Sequence, residues 1–322
     1  MPLILTRDDV VSLLDMHECI TAVEKAFAEL SNGTAVLPLR IGITPAEGLA
    51  LYMPAYLKEA GSLVCKVVTV YKNNPAKHNL PTTIGKLLLQ NPETGEVICI
   101  MDAGYLTAVR TGAASGAATK YLARKGKNMT AGIFGAGVQA VQQLKAVQAV
   151  REITKAYVYD TSPDAVNKFA ETDFGCEIIK ASSAEEVFNT DIICLATSSS
   201  TPLFDGKKVK PGTHINGIGS HTPSARELDS EIIKRSKLIG DSKAACFSEA
   251  GDIMIPLKEG VIDESHFYAE LGEIITGKKQ GRANDDEITL FKSNGLAIQD
   301  AAAAKLVYDK AIERNVGKMI EM

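Results

Sequence analysis

Gly135, Gly137 and Ala140 stand in the spacing G-x-G-x-x-A within Gly132-Ile133-Phe134-Gly135-Ala136-Gly137-Val138-Gln139-Ala140. A short apolar stretch precedes them and a helical pattern follows. Strand, tight glycine turn and helix form the arrangement that holds a dinucleotide. Gly135 lets the chain turn sharply. Gly137 lets the backbone approach a pyrophosphate, and Ala140 is small enough for the helix to pack on a sheet. The start of that helix, with Val138 and Gln139 in its first turn, would offer unpaired N–H groups and a positive dipole end to the phosphates. A second strand, Lys155 to Tyr159, ends in Asp160, about 20 residues beyond the glycines, where a carboxylate for the ribose hydroxyls belongs. Asp160 would repel a 2′-phosphate, and no arginine follows it in Thr161-Ser162-Pro163. This favours NAD(H). The two hydroxyls leave NADP(H) open.

Three cations in the first third of the chain have the types needed to hold a carboxylate and move a proton. Lys66 interrupts the apolar run Leu63-Val64-Cys65-Lys66-Val67-Val68. Such a lysine either snorkels from an edge strand, or is a partly buried amine whose lowered pKa lets it exchange a proton near neutrality. Arg40 and Arg110 would lower that pKa further. Arg110 sits in the small, apolar setting Leu106-Thr107-Ala108-Val109-Arg110-Thr111-Gly112. A guanidinium there calls for an anion: a substrate carboxylate, the cofactor pyrophosphate, or a protein carboxylate in a structural ion pair.

The elements that must position these groups fall into two patterns. The 322 residues, 45% of them apolar, suffice for two domains with sizeable cores. Helices are expected over Asp8 to Leu14 and His17 to Leu30. Strands follow at Ala50 to Tyr56, Leu63 to Tyr71, Ile84 to Asn91 and Glu96 to Met101, and Asn91-Pro92-Glu93-Thr94-Gly95 marks a hairpin. A helix rich in small residues, Leu106 to Leu122, leads to an alternating region. Strands are expected there near Thr130–Phe134, Lys155–Tyr159, Glu177–Lys180, Asp191–Ala196, His214–Ile218 and Lys237–Gly240, then Glu287 to Phe291. Such alternation implies a parallel sheet wound with helices. The final helix, Leu296 to Arg314, needs a partner surface and is expected back on the first domain. The predicted fold is therefore α/β: a Rossmann-type, doubly wound parallel sheet over residues 116–299, and a second α+β domain over residues 1–115 with the C-terminal helix from about residue 300 to 322.

Composition removes several classes of partner. A formal charge of −4 gives no electrostatic reason to expect nucleic acid or an anionic membrane. No apolar run approaches the roughly 18 residues of a spanning helix. The first residues lack the apolar core of a signal peptide. Six cysteines are scattered without a C-x-x-C pair, which fits reduced thiols in a cytoplasmic protein. No metal-ligand spacing is present, so the expected ligands are a dinucleotide and a small molecule.

The chain resembles the ornithine cyclodeaminase/mu-crystallin family over essentially its whole length. The resemblance is carried by Met53-Pro54-Ala55, Lys66, Leu80-Pro81-Thr82, Met101-Asp102, Arg110-Thr111-Gly112-Ala113-Ala114, Gly135-Ala136-Gly137-Val138-Gln139-Ala140, His214-Ile215-Asn216, Glu227-Leu228-Asp229, and Phe291-Lys292-Ser293 with Gly295. The resemblance implies a Rossmann domain and an α+β domain that pairs subunits into a homodimer. It implies an α-amino or α-imino acid substrate beside a nicotinamide ring. Residue by residue, it gives Arg40 and Arg110 the substrate carboxylate, with Arg110 also near the pyrophosphate, and makes Lys66 the proton-handling residue. Thr82, Gly137, Val138, Asp160, Thr161, Thr197, Gly219 and Ser293 would line the cofactor, and Asn294 would sit near the substrate.

Two departures shape the expected substrate. Leu51 stands where cyclodeaminases carry a glutamate for the distal amine of ornithine. His221, in Gly219-Ser220-His221-Thr222-Pro223, stands where cyclodeaminase and alanine dehydrogenase place an aspartate near the substrate amine. An unpaired buried ammonium would be costly, so the pattern suits an imine without a distal amine. Another carboxylate, such as Glu47 or Glu59, is the alternative source of the missing charge. His221 itself could donate a proton, shape the pocket, or be a solvated loop histidine. The expected activity is reduction of a small α-imino acid, with Δ1-pyrroline-2-carboxylate to proline first. Alanine dehydrogenase, ornithine cyclodeaminase and a non-catalytic nucleotide-dependent binding protein are the rivals.

Overall fold

The computed structural model describes residues 1–321. The chain forms two units, one of residues 1–110 together with the segment from Leu296 onward, the other Thr111–Gly295.

The first unit is built on a mixed sheet of β1 (Leu3–Leu5), β2 (Ala35–Val36), β3 (Ile41–Ile43), β4 (Leu49–Leu57), β5 (Ser62–Val70), β6 (Thr83–Gln90) and β7 (Val97–Asp102). The neighbour order is β1, β7, β6, β5, β4, β2; β3 also pairs with β4, and a short strand Lys318–Met319 lies beside β1. The hairpin expected at Asn91–Gly95 joins β6 to β7 in antiparallel register. In β5, residues two apart share a face, so Ser62, Val64 and Lys66 all point inward and are buried. Ala55 and Leu57 of β4, Leu87 and Leu89 of β6, and Cys99 and Met101 of β7 complete that face.

The helix Ala297–Arg314 covers it. Ser62 Oγ donates to the Ala301 carbonyl at 2.8 Å, which fixes the helix over the inward side of β5. The buried residues Ala297, Ala301, Ala303 and Ala304 let it approach closely. The helix Met16–Asn32 packs beside it. Its cap residue Asp15 accepts the His17 and Glu18 N–H groups, and its far end closes on Gly33 at φ +75°.

The second unit has eight parallel strands among the described residues: β8 (Met129–Phe134), β9 (Ile153–Tyr159), β10 (Glu177–Lys180), β11 (Ile192–Leu195), β12 (His214–Gly217), β13 (Lys237–Gly240), β14 (Phe267–Glu270) and β15 (Thr289–Lys292). Their order is β10-β9-β8-β11-β12-β15-β13-β14. The chain winds outward from β8 through β9 and β10, then returns to pair β11 on the other side of β8. The reversal between β8 and β11 is the switch point of the sheet, and sheets of this kind bind ligands there, outside the carboxyl ends of the strands. Both faces of the sheet are covered. Phe134, Ile193, Leu195 and Leu290 serve one core cluster, and Ile133, Ile192, Cys194 and Val158 the other. That is why the central strand β11, Ile192-Ile193-Cys194-Leu195, reads as an unbroken apolar run and is buried at every residue.

The expected helices and strands occur, with ends shifted by a few residues. The strands Leu3–Leu5, Ala35–Val36, Ile41–Ile43, Phe267–Glu270 and Lys318–Met319 and the helix Asn74–His78 were not anticipated. The two- and three-residue strands are too short to display a period, and pairing alone defines them; the helix Asn74–His78 is bounded locally, by Pro75 in its first turn and by Asn79 in the left-handed region.

Gly132, in β8, is held tight. A Cβ there would lie 2.1 Å from the Val187 carbonyl oxygen and 2.7 Å from Thr190 Oγ1. Gly132→Ala is expected to destabilise the protein by about 1–3 kcal/mol, read as a lower urea midpoint. An unchanged midpoint would contradict this packing.

Candidate active site

The second unit gathers its chemistry at the carboxyl ends of its strands. Gly135 leaves β8 at φ +92°, a left-handed conformation that suits glycine, and a Cβ there would also strike the Ala196 carbonyl at 2.6 Å. Around Gly137, by contrast, a Cβ would meet nothing within 4 Å. The helix Val138–Val150 begins there without a side-chain cap, and Val138 is largely exposed. An open approach to uncapped N–H groups fits a pyrophosphate. Gln139 follows, partly buried in the first turn. Asp160, ending β9, is oriented by two backbone donors, with Ala136 N–H on Oδ2 and Ser162 N–H on Oδ1, both at 2.9 Å. Each oxygen keeps a lone pair for a ribose hydroxyl. Thr161 beside it is exposed.

Buried carboxylates tie the remaining loops together. Glu227 accepts from Thr197 N–H and Oγ–H at 2.8 and 2.7 Å, and from Gly219 N–H at 2.8 Å. This joins the loop after β11 to the loop after β12. Burial and the nearby Asp252 raise its pKa. Asp252 accepts the Glu227 and Leu228 N–H groups and faces Lys292 Nζ at 3.0 Å. Lys292 in turn donates to the Ser220 carbonyl at 2.6 Å. Asp241 accepts Ser293 Oγ–H at 3.1 Å and the N–H groups of Asn294 and Gly295 at 2.7 and 2.8 Å. Thr197, Gly219, Ser293 and Asn294 are thus brought to one end of one sheet. Asn294 Oδ1 is buried without a hydrogen-bond partner. His221 is exposed, 2.9 Å from the Gly219 carbonyl through Nδ1.

The first unit holds the cations. Lys66 is only 1% exposed, so the edge-strand alternative fails: β5 is flanked by β4 and β6. Its Nζ lies 2.7 Å from Asp300 Oδ2 and 3.5 Å from Thr107 Oγ1. Arg110 is also buried. Its Nε donates to Asp300 Oδ1 at 2.8 Å and its Nη1 to Gln299 Oε1 at 2.6 Å. The ion-pair alternative for Arg110 is therefore realised, by an acid on the helix Ala297–Arg314. Burial lowers the Lys66 pKa from 10.5 to about 8. Arg110 and, more weakly, Arg40 act in the same direction, against Asp300. Arg40 lies between β2 and β3, partly buried. Thr82 precedes β6, and its carbonyl accepts the Tyr71 N–H at 2.8 Å.

No motif in the sequence points to Asp300 or Gln299, and the family resemblance assigns no role to Lys292 or Glu227. The available signal was a charged residue inside an apolar, buried period, as with Lys66. The proposed substitute acids are engaged elsewhere: Glu47 pairs with Lys77 at 2.9 Å, and Glu59 accepts from Thr34 Oγ1 at 3.1 Å.

A folded-state pKa of about 8 for Lys66, below its ordinary 10.5, means that the unfolded chain binds the extra proton between those values. The group's contribution to stability therefore rises with pH across that window. The urea midpoint of the wild-type protein is expected to gain on that of Lys66→Met between pH 8 and 10.5. Parallel pH profiles would contradict the depressed pKa.

Comparison with known proteins agrees with this architecture. Residues 1–315 match the ornithine cyclodeaminase/mu-crystallin family. A Δ1-pyrroline-2-carboxylate reductase of Bacillus cereus is 39% identical over 99% of both chains. The solved structure of Thermococcus litoralis Δ1-pyrroline-2-carboxylate reductase in complex with NADH and L-proline is 50% identical, with a TM-score of 0.95 over 99% of this chain and 100% of that one. An archaeal alanine dehydrogenase dimer with bound NAD is 40% identical, with a TM-score of 0.94 over 99% of each chain. The chain belongs to the ornithine cyclodeaminase/mu-crystallin family.

Proposed function

We propose that this protein is an NAD(P)H-dependent reductase of small α-imino acids, converting Δ1-pyrroline-2-carboxylate to L-proline. The observation that carries the reading is the buried Lys66–Asp300–Arg110 contact, a proton-bearing amine beside an oriented guanidinium. The two relatives named as Δ1-pyrroline-2-carboxylate reductases support it.

A bound dinucleotide supplies a hydride to an electron-poor carbon. The residues of this chain do the rest. Arg40 and Arg110 hold the substrate carboxylate, and Asp300 and Gln299 keep the Arg110 plane from turning. Lys66 gives a proton to the nitrogen as the carbon receives the hydride, and then recovers one from water. With a pKa near 8, Lys66 is an ammonium at neutral pH yet a willing donor. Leu51 and His221 leave the positions of the two family acids without a carboxylate, which suits a cyclic imine over a diamine. Alanine dehydrogenase is the second reading, favoured by the archaeal relative and opposed by His221.

Gly135, Gly137, Val138, Gln139, Asp160, Thr161, Thr197, Gly219 and Ser293, with Thr82 and Arg110, form the proposed cofactor set. Asp160 makes NADH the preferred form. A homodimer is proposed from the first unit, where Val36, Leu39, Ile41 and Ile43 are exposed apolar residues on neighbouring strands and their connection, and from the dimeric relative. Ile41→Glu with Leu39→Glu is expected to shift the light-scattering mass from dimer to monomer; an unchanged mass would move the interface elsewhere.

Following 340 nm absorbance separates the reactions. The expected result is NADH consumption with pyrroline-2-carboxylate, exceeding that with NADPH and that with pyruvate plus ammonia, and no ammonia release from ornithine. Lys66→Ala is expected to lower turnover by roughly 10²–10⁴-fold with NADH affinity nearly intact. Unchanged turnover would remove Lys66 from the mechanism.

A further inference from the structure

The roles above leave Asp300 as an orienting contact for Arg110 and give it none toward the proton. Its carboxylate is wholly buried, with one oxygen on the Lys66 amine at 2.7 Å and the other on Arg110 Nε at 2.8 Å. One residue earlier, Gln299 Oε1 takes Arg110 Nη1. The contact is reached through two locked elements. Strand alternation turns Lys66 inward, and the Ser62–Ala301 hydrogen bond places the helix directly above.

The surroundings of Lys66 otherwise oppose its charge. Its register neighbours Met53 on β4 and Leu87 on β6 are apolar. The helix Gly104–Leu122 contributes Thr107 and the Arg110 cation. Arg40 adds a second like charge. On the helix Met16–Asn32, Cys19 feels the same Arg110 and Asp300, but burial pushes its thiol up to about 12, so it stays neutral. Of the charged groups, Asp300 alone favours the ammonium; the Thr107 hydroxyl accepts from it only at 3.5 Å. An amine so deeply buried beside two guanidinium groups would lose its proton without a carboxylate in contact.

We propose that Asp300 is the positioning residue of the site: one carboxylate keeps Lys66 protonated and fixes the Arg110 plane, so proton supply and carboxylate capture depend on the same side chain. The use of the Lys66 proton rests on the imine-reductase reading, whereas the hold of Asp300 on that proton is read separately from it. A filler of the core would make Asp300 matter for stability alone. A positioning role makes it govern the pH at which Lys66 works.

The test compares wild type, Asp300→Asn and Asp300→Glu, each with saturating NADH. For the wild type, kcat for pyrroline-2-carboxylate reduction is expected to fall as pH rises through about 8. In Asp300→Asn that fall moves to lower pH by about one unit or more. In Asp300→Glu, which keeps the charge, it stays near the wild-type position at reduced kcat. A second readout needs no substrate: NMR titration of ¹³Cε-lysine-labelled protein, with the Lys66 signal assigned by its loss in Lys66→Met. Displacement of that titration in Asp300→Asn supports the proposal even if no imine is reduced, in which case the reaction assigned above fails and the proposal survives. A folded, NADH-binding Asp300→Asn with an unmoved titration overturns it. Should Asp300→Asn not fold, Asp300→Ser, which also removes the charge, decides by the same titration: displacement to lower pH supports the proposal, and an unmoved value overturns it.

Discussion

The buried contact of Lys66, Asp300 and Arg110 constrains everything else in the first unit. Removing one member of a buried ion pair leaves an uncompensated charge, typically at a cost of about 3–5 kcal/mol. The three groups therefore hold the sheet, the helix Gly104–Leu122 and the helix Ala297–Arg314 in one arrangement. Two cations, Lys66 and Arg110, meet one carboxylate there, and Arg40 adds a weaker like charge. The local surplus of positive charge is what a carboxylated substrate would neutralise, and it also holds the Lys66 proton loosely. A hydrophobic replacement could be equally stable, but it could neither bind an anion nor supply a proton.

The second unit solves a different problem with similar means. A parallel sheet ends in a row of loops, and loops drift unless tied. Glu227 ties the loops after β11 and β12, Asp252 and Lys292 anchor the stretch from Gly217 to Leu228, and Asp241 gathers Ser293, Asn294 and Gly295. Asp160 does the same for the glycine turn through Ala136. Fixed donors and an open surface at Gly137 cost little reorganisation when a phosphate arrives.

Much of this was legible in the sequence because it is local. The G-x-G-x-x-A turn, the helix start and Asp160 lie within one βαβ unit, where spacing alone fixes geometry. Lys66 is legible as an anomaly because it interrupts an apolar run, and the structure decides between the edge and buried alternatives by placing it on the inward face of β5. The partner of Lys66 is not. Asp300 is far away in sequence, on a helix expected to return to the first domain, and no spacing rule links any one of its residues to Lys66. Arg110 illustrates the same limit: its setting demanded an anion, and only the fold could name one. The exposed strand Ile41–Ile43 escaped notice because its pattern lacks a buried face.

Arg40, Lys66 and Arg110 are proposed to act on one ligand. A crystal structure with NADH and pyrrole-2-carboxylate, a planar unreactive analogue of the imine, tests it most directly. The account predicts the analogue's carboxylate within hydrogen-bond distance of both guanidinium groups and its ring nitrogen within reach of Lys66 Nζ. A carboxylate bound to other residues, or a Lys66 amine turned away from the ring, would contradict it.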